Sequence, residues 1–144
     1  MPARDRYHKH VRIALERDGW TITHDPLKLK WGTKDMYVDL GAEQLLAAEK
    51  GARKIAVEIK SFLGPSEMAD LEQALGQFVL YTAVLAEVEP QRLLYLAITE
   101  EIFVDLFAEP IGQLLLTKHH LRLLVFDSVM EVIRLWTPEL PTAA

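Results

Sequence analysis

The chain has 144 residues, half of them apolar and about a quarter charged, which describes one globular domain and excludes a disordered or fibrous polypeptide. No apolar run nears the ~20 residues of a membrane span, the first residues lack the apolar stretch of a signal peptide, and the absence of cysteine excludes disulfides and thiolate metal sites, so a cytoplasmic protein is expected. The net charge of −5 argues against indiscriminate nucleic-acid binding, but residues 1–34 carry eight Lys/Arg against four Asp/Glu (+4), while residues 35–144 carry eight against seventeen (−9). Such asymmetry marks either a local surface that faces a polyanion or two ordinary solvated faces.

Residues 3–18 read as a first helix with Tyr7, Val11, Ala14 and Leu15 as its apolar stripe and Gly19 as its stop. Residues 20–23 alternate as a short strand, and Asp25-Pro26 turns the chain. Residues 27–31 alternate again, Gly32-Thr33-Lys34-Asp35 connects a hairpin, and residues 36–41 return as a strand that carries Asp39. Between 42 and 50 the composition suits a helix, yet a strand over 46–49 fits the turn at Lys50-Gly51-Ala52-Arg53 better. Residues 54–60 form the next strand. Gly64-Pro65 breaks the chain, and Ser66 caps a helix over 67–87 whose core stripe includes Leu71, Ala74, Leu75, Phe78 and Leu85. Residues 92–98 are nearly all apolar, as in a strand buried on both faces. Short helices follow over 99–107 and 110–118, then strands over 121–126 and 129–136. The expected domain is 1–137, with a loose tail over 138–144. The order predicts an α/β fold, a mixed sheet flanked by helices.

The chemistry concentrates around Asp39 and the strand Lys54-Ile55-Ala56-Val57-Glu58-Ile59-Lys60. Side chains two apart on a strand share a face, so Glu58 and Lys60 point one way, Val57 and Ile59 the other. A carboxylate and an ammonium inside an apolar strand are costly to bury without a partner. With Asp39 at the end of a neighbouring strand, two carboxylates and a lysine converge, which is what holding a hard divalent cation and activating a water require. The plainer reading places Glu58 and Lys60 on the wet face of a half-buried sheet, paired with each other. On the following helix Asp70, Gln73, Gln77 and Tyr81 line one stripe, which on a typical helix faces solvent. Phe78-Val79-Leu80 and Ala83-Val84-Leu85-Ala86 make that helix apolar nearly all round, so buried glutamines there are expected to hydrogen-bond something specific. Glu16, on one helical face with Lys9 and Arg12, is either a third acid for the site or a surface charge paired with Arg12. The five histidines have no convincing zinc spacing.

Asp39, Glu58 and Lys60, with Val38 where the name-giving proline would stand, resemble the PD-(D/E)xK, or restriction endonuclease-like, superfamily. Gln77-Phe78-Val79-Leu80-Tyr81 is similar to the Gln-x-x-x-Tyr of some nuclease branches, and Glu16 to the helix-borne acid of Holliday-junction resolvase-like members. Over nearly the whole chain the resemblance is to the XisH family, the fdxN element excision controlling factors. It is carried by Met1-Pro2-Ala3-Arg4-Asp5, Asp18-Gly19-Trp20-Thr21-Ile22-Thr23, Tyr37-Val38-Asp39-Leu40-Gly41-Ala42-Glu43, Val57-Glu58-Ile59-Lys60-Ser61-Phe62, Leu71-Glu72-Gln73-Ala74-Leu75-Gly76-Gln77, Glu109-Pro110-Ile111-Gly112 and Leu123-Leu124-Val125-Phe126-Asp127. That family is associated, mostly in cyanobacteria, with programmed excision of a DNA element, alongside a small partner, XisI, and a separate site-specific recombinase.

The resemblance implies a restriction endonuclease-like αβββαβ core and a metal-dependent DNA-processing protein. Asp39, Glu58 and the Ile59 carbonyl would bind Mg²⁺ (or Mn²⁺). Lys60 would orient or deprotonate a water, or neutralise the phosphorane-like transition state, and Gln77, with Gln73 and Tyr81, would position the water or a phosphate oxygen. Arg6, Lys9, Arg12, Lys28 and Lys30 would contact the DNA backbone. Two rivals stay open. One is a catalytically silent factor that binds DNA or protein and helps the recombinase. The other is a protein-binding subunit whose apolar surface is covered by a homodimer or by XisI.

Overall fold

Period-two alternation builds the molecule's centre, and the structure, a computed structural model, describes residues 5–45, 52–118 and 120–141 of the chain. Helix α1 (His8–Arg17) is followed by strands β1 (Thr21–His24), β2 (Leu27–Trp31), β3 (Lys34–Val38), β4 (Leu40–Leu45) and β5 (Ala52–Ile59). The long helix α2 (Glu67–Val88) and strand β6 (Arg92–Thr99) come next. Helix α3 (Glu100–Ile102) runs on as a π-helical turn (Phe103–Phe107), and α4 (Pro110–Thr117), β7 (Leu123–Asp127) and β8 (Val132–Thr137) complete the order. Six strands form one sheet in the order β1-β4-β5-β6-β7-β8, while β2 and β3 make a separate two-stranded ribbon. Strands β5, β6 and β7 run parallel, and the flanking pairs β1–β4, β4–β5 and β7–β8 are antiparallel. The chain is thus a mixed sheet flanked by helices, as expected.

The alternation sorts side chains onto two cores. Ala56, Leu94, Leu96, Ile98, Leu123 and Val125 face the cluster that also holds Leu71, Phe78, Leu85 and Phe107. Ile55, Val57, Ile59, Tyr95, Ala97, Leu124 and Phe126 face the opposite cluster, with Val11 and Leu15 of α1 and Trp20. Helix α2 therefore covers one face of the sheet and α1 the other. Because Glu58 shares its strand face with Ala56, its side chain emerges on the α2 side.

Several boundaries differ from expectation for physical reasons. The expected strand over 36–41 is two strands in two sheets. Strand β3 pairs with β2 through Val38, and β4 starts at Leu40, opposite Val57. Asp39 is the residue at which the backbone crosses from one sheet to the other. The first helix begins at His8 rather than residue 3, since the Asp5 side chain accepts the Tyr7 amide in a turn before it. The expected strand over 46–49 lies outside the described residues. Helix α2 is not apolar all round in its packing, because Val79 is 57% and Leu80 50% exposed. The segment beyond 137 is described as far as Pro141. Leu140 there packs against the α1-side cluster, and Arg53 donates to the Pro141 carbonyl at 2.9 Å. Among the described residues no helix is long and apolar enough to cross a membrane.

Candidate functional site

The crossing between the two sheets brings Asp39 against the end of β5. The Ile59 amide donates to Asp39 Oδ2 at 2.7 Å, and the Asp39 amide donates to Glu58 Oε1 at 3.2 Å. These reciprocal bonds hold the two carboxyls side by side at the rim of the α2-side core. They line a cavity of about 200 Å³ together with Asp5, Tyr37, Ile59, Lys60, Gln77 and Tyr81. The aspartate, glutamate and lysine that lie far apart in the sequence are thus neighbours on one wall.

Lys60 leaves β5 on the same face as Glu58. Its amide donates to the Ala97 carbonyl at 3.1 Å, which fixes the backbone beside β6. Its Nζ donates to Gln73 Oε1 at 2.6 Å. Of the stripe on α2, Gln77 and Tyr81 line the cavity, while Gln73 is exposed rather than buried as expected. Asp70 accepts the Gly64 amide at 3.0 Å and so closes the loop before the helix. Gln73 holds the lysine, and Gln77 and Tyr81 reach the cavity wall.

The acid that the α1 end of the chain supplies is Asp5, which the sequence reading passed over. Its Oδ1 accepts the Tyr7 amide at 2.9 Å and its Oδ2 accepts the Ser61 amide at 3.1 Å. Glu16 is exposed near the other end of α1 and does not line the cavity. Arg12, its suggested partner, donates instead to Asp25 Oδ2 at 2.6 Å, and His8 Nε2 meets Asp25 Oδ1 at 2.7 Å. The only sequence signal for Asp5 is an acid placed two residues before a helix stripe, which reads equally well as a cap.

Burial sets the electrostatics. It pushes Glu58 up to about 9, and the adjacent Asp39 carboxylate adds to the rise. It also lifts the Asp39 carboxyl above its ordinary range, against the opposing hydrogen bond from the Ile59 amide. The Tyr81 hydroxyl is raised by burial and by the nearby Glu58 and Asp39. Two carboxyls crowded in this way are an oxygen donor set that a hard divalent cation stabilises. Among the described residues no group of three or more His, Asp or Glu is arranged to hold an ion. A two-carboxylate set still suits Mg²⁺, which keeps several of its waters and is usually bound through one or two carboxylates.

The five basic residues expected to meet DNA are dispersed, and none lines the cavity. Arg6 is exposed, with its guanidinium carbon 5.8 Å from the centroid of the Tyr7 ring. Lys9 is exposed on α1, and Arg12 is engaged by Asp25. Lys28 and Lys30 project from the β2–β3 ribbon.

Comparison with known proteins agrees with this architecture. Residues 1–134 match the family described as XisH protein. The chain belongs to the XisH family. A crystal structure of an XisH family protein from Nostoc punctiforme PCC 73102 superposes with a TM-score of 0.83 at 36% identity, over 92% of this chain and 99% of that one. The structure of an fdxN element excision controlling factor protein from Anabaena variabilis gives 0.84 at 38% identity, over 93% and 99%. No curated protein matches the chain.

Proposed function

We propose that this XisH-family chain is a DNA-processing protein with a restriction endonuclease-like, PD-(D/E)xK-type core that hydrolyses phosphodiesters with Mg²⁺ or Mn²⁺. The observation that carries the reading is the side-by-side placement of Asp39 and Glu58 in one cavity with Lys60, Gln77 and Tyr81. The name of the Anabaena variabilis relative, an fdxN element excision controlling factor, supports reading that activity as part of the excision of a DNA element.

Asp39, Glu58 and the Ile59 carbonyl would hold the cation. When bound, it supplies Lewis-acid activation of water and charge neutralisation at the scissile phosphate. Gln73 fixes the Lys60 ammonium at the cavity mouth, where it offsets negative charge that grows on the phosphate. The Gln77 amide and the Tyr81 hydroxyl orient the attacking water or a phosphate oxygen. Water adds to phosphorus and one P–O bond breaks, leaving a phosphate monoester and a hydroxyl. The test is divalent-metal-dependent cleavage of duplex, flapped and branched DNA. Lys60→Ala is expected to slow cleavage by about 10²- to 10³-fold with the fold intact. Equal cleavage by wild type and Lys60→Ala would remove the assigned mechanism.

A second reading has its own support. Val79 and Leu80 expose an apolar stretch on the outer side of α2, a surface suited to a protein partner. In this reading the chain is a catalytically silent accessory factor that works beside an XisI-like small protein and a separate recombinase, or pairs with itself. Calorimetric Mn²⁺ binding that Asp39→Ala abolishes favours the first reading, and no heat from wild type favours the second.

A further inference from the structure

The β2–β3 ribbon stands apart from the main sheet but leads directly into Asp39. Its register places Leu27 opposite Val38, Leu29 opposite Met36 and Trp31 opposite Lys34, all on one face. Lys28 opposite Tyr37 and Lys30 opposite Asp35 occupy the other. The first face buries Leu27 and Leu29 in the α2-side cluster. The same alternation then carries Trp31 past the end of that core, where it is 54% exposed. A single exposed tryptophan is unremarkable by itself.

Its surroundings give it a role. Residues 27–38 carry three lysines (Lys28, Lys30, Lys34) against one acid (Asp35), in a chain of net charge −5. Lys34 is exposed on the face of the ring, Lys30 is exposed on the opposite face of the same tip, and Lys28 on that opposite face makes an exposed pair with Asp35 at 3.6 Å, which is easily exchanged for another anion. Tyr37, opposite Lys28, lines the cavity with Asp39 and Glu58. The ribbon therefore runs without a break from the carboxylate cavity to an aromatic tip flanked by ammonium groups. An aromatic face among cations matches an unpaired nucleobase and its neighbouring phosphates, because stacking needs a free base face that an intact duplex offers only at its ends.

We propose that the β2–β3 ribbon binds an unpaired strand of DNA beside the cavity, with Trp31 stacked on a base and Lys28, Lys30 and Lys34 on phosphates. The substrate class is then DNA with a single-stranded or frayed segment, and this rests on the reading of the cavity as a DNA-processing site. The experiment titrates the full chain, without divalent metal, against a fluorescein-labelled single strand, a forked duplex and a blunt duplex. Wild type is expected to prefer the first two. Trp31→Ala is expected to weaken both by about 5- to 150-fold, the range for one stacked base, with a smaller effect on the blunt duplex, whose free base faces are confined to its ends, and Trp31→Phe retaining most of the binding. Equal single-strand affinity of wild type and Trp31→Ala, or no single-strand binding by wild type, overturns the proposal. Mn²⁺ calorimetry on the same preparations separates the two readings. Metal binding with no Trp31 effect retains the cavity and rejects the ribbon. A Trp31 effect with no metal binding retains the ribbon and rejects the cavity.

Discussion

Glu58 shows how one side chain records its surroundings. Its carboxyl is pushed up to about 9 from an ordinary 4.5 by burial and by Asp39. The folded state therefore keeps a proton that the unfolded chain releases near 4.5. Stability from that proton is fully present below 4.5 and declines as pH rises, until it is gone above about 9, at a slope of at most about 1.4 kcal/mol per pH unit. Glu58→Gln removes the titration. In metal-free buffer, wild type is expected to lose thermal stability relative to Glu58→Gln steadily across that window; parallel curves would contradict the assignment. Asp39, Glu58 and Lys60 were legible in the sequence because strand alternation allots each residue a face, and charges inside an apolar strand are conspicuous. Asp5 was not legible, because binding the Tyr7 and Ser61 amides is ordinary capping chemistry with no distinctive spacing. Glu16 lies on the helix that follows Asp5 but near its far end, a distance that helical periodicity does not reveal.

At the scale of elements, sequence patterning identified the helices and strands better than it identified their junctions. Residues 36–41 are uniformly strand-like, so nothing in their composition marks the crossing at Asp39; pairing with two different partners, β2 and β5, creates it. Helix α2 is less buried than its composition implies, because Val79 and Leu80 are apolar yet exposed. The segment Glu109-Pro110-Ile111-Gly112 has a packing explanation. Pro110 opens α4, and a Cβ on Gly112 would overlap the Phe107 Cα and the Leu106 carbonyl oxygen, both backbone atoms. Gly112→Ala is expected to destabilise the protein by about 1–3 kcal/mol, read as a lower denaturant midpoint with an unchanged slope. An unchanged midpoint would mean that α4 does not sit this close to the π-helical turn.

For the whole molecule, the proposed function depends on bringing distant parts of the chain to one wall of one cavity. The mixed sheet places β5 at its centre, α2 covers the face from which Glu58 emerges, and the ribbon ends where Asp39 meets the Ile59 amide. Two cores on opposite sides of the sheet hold that arrangement rigid. The mixed α/β architecture followed from the order of apolar patterns. The ribbon's separation from the main sheet did not, since both sets of strands alternate in the same way. The most direct test is a crystal of the full chain soaked in manganese, with anomalous scattering used to locate the ion. The account predicts one peak between Asp39 and Glu58, at about 2.0–2.2 Å from carboxylate oxygens, that disappears in Asp39→Ala. A fully soaked crystal with no peak there, or with the ion bound elsewhere, would contradict it.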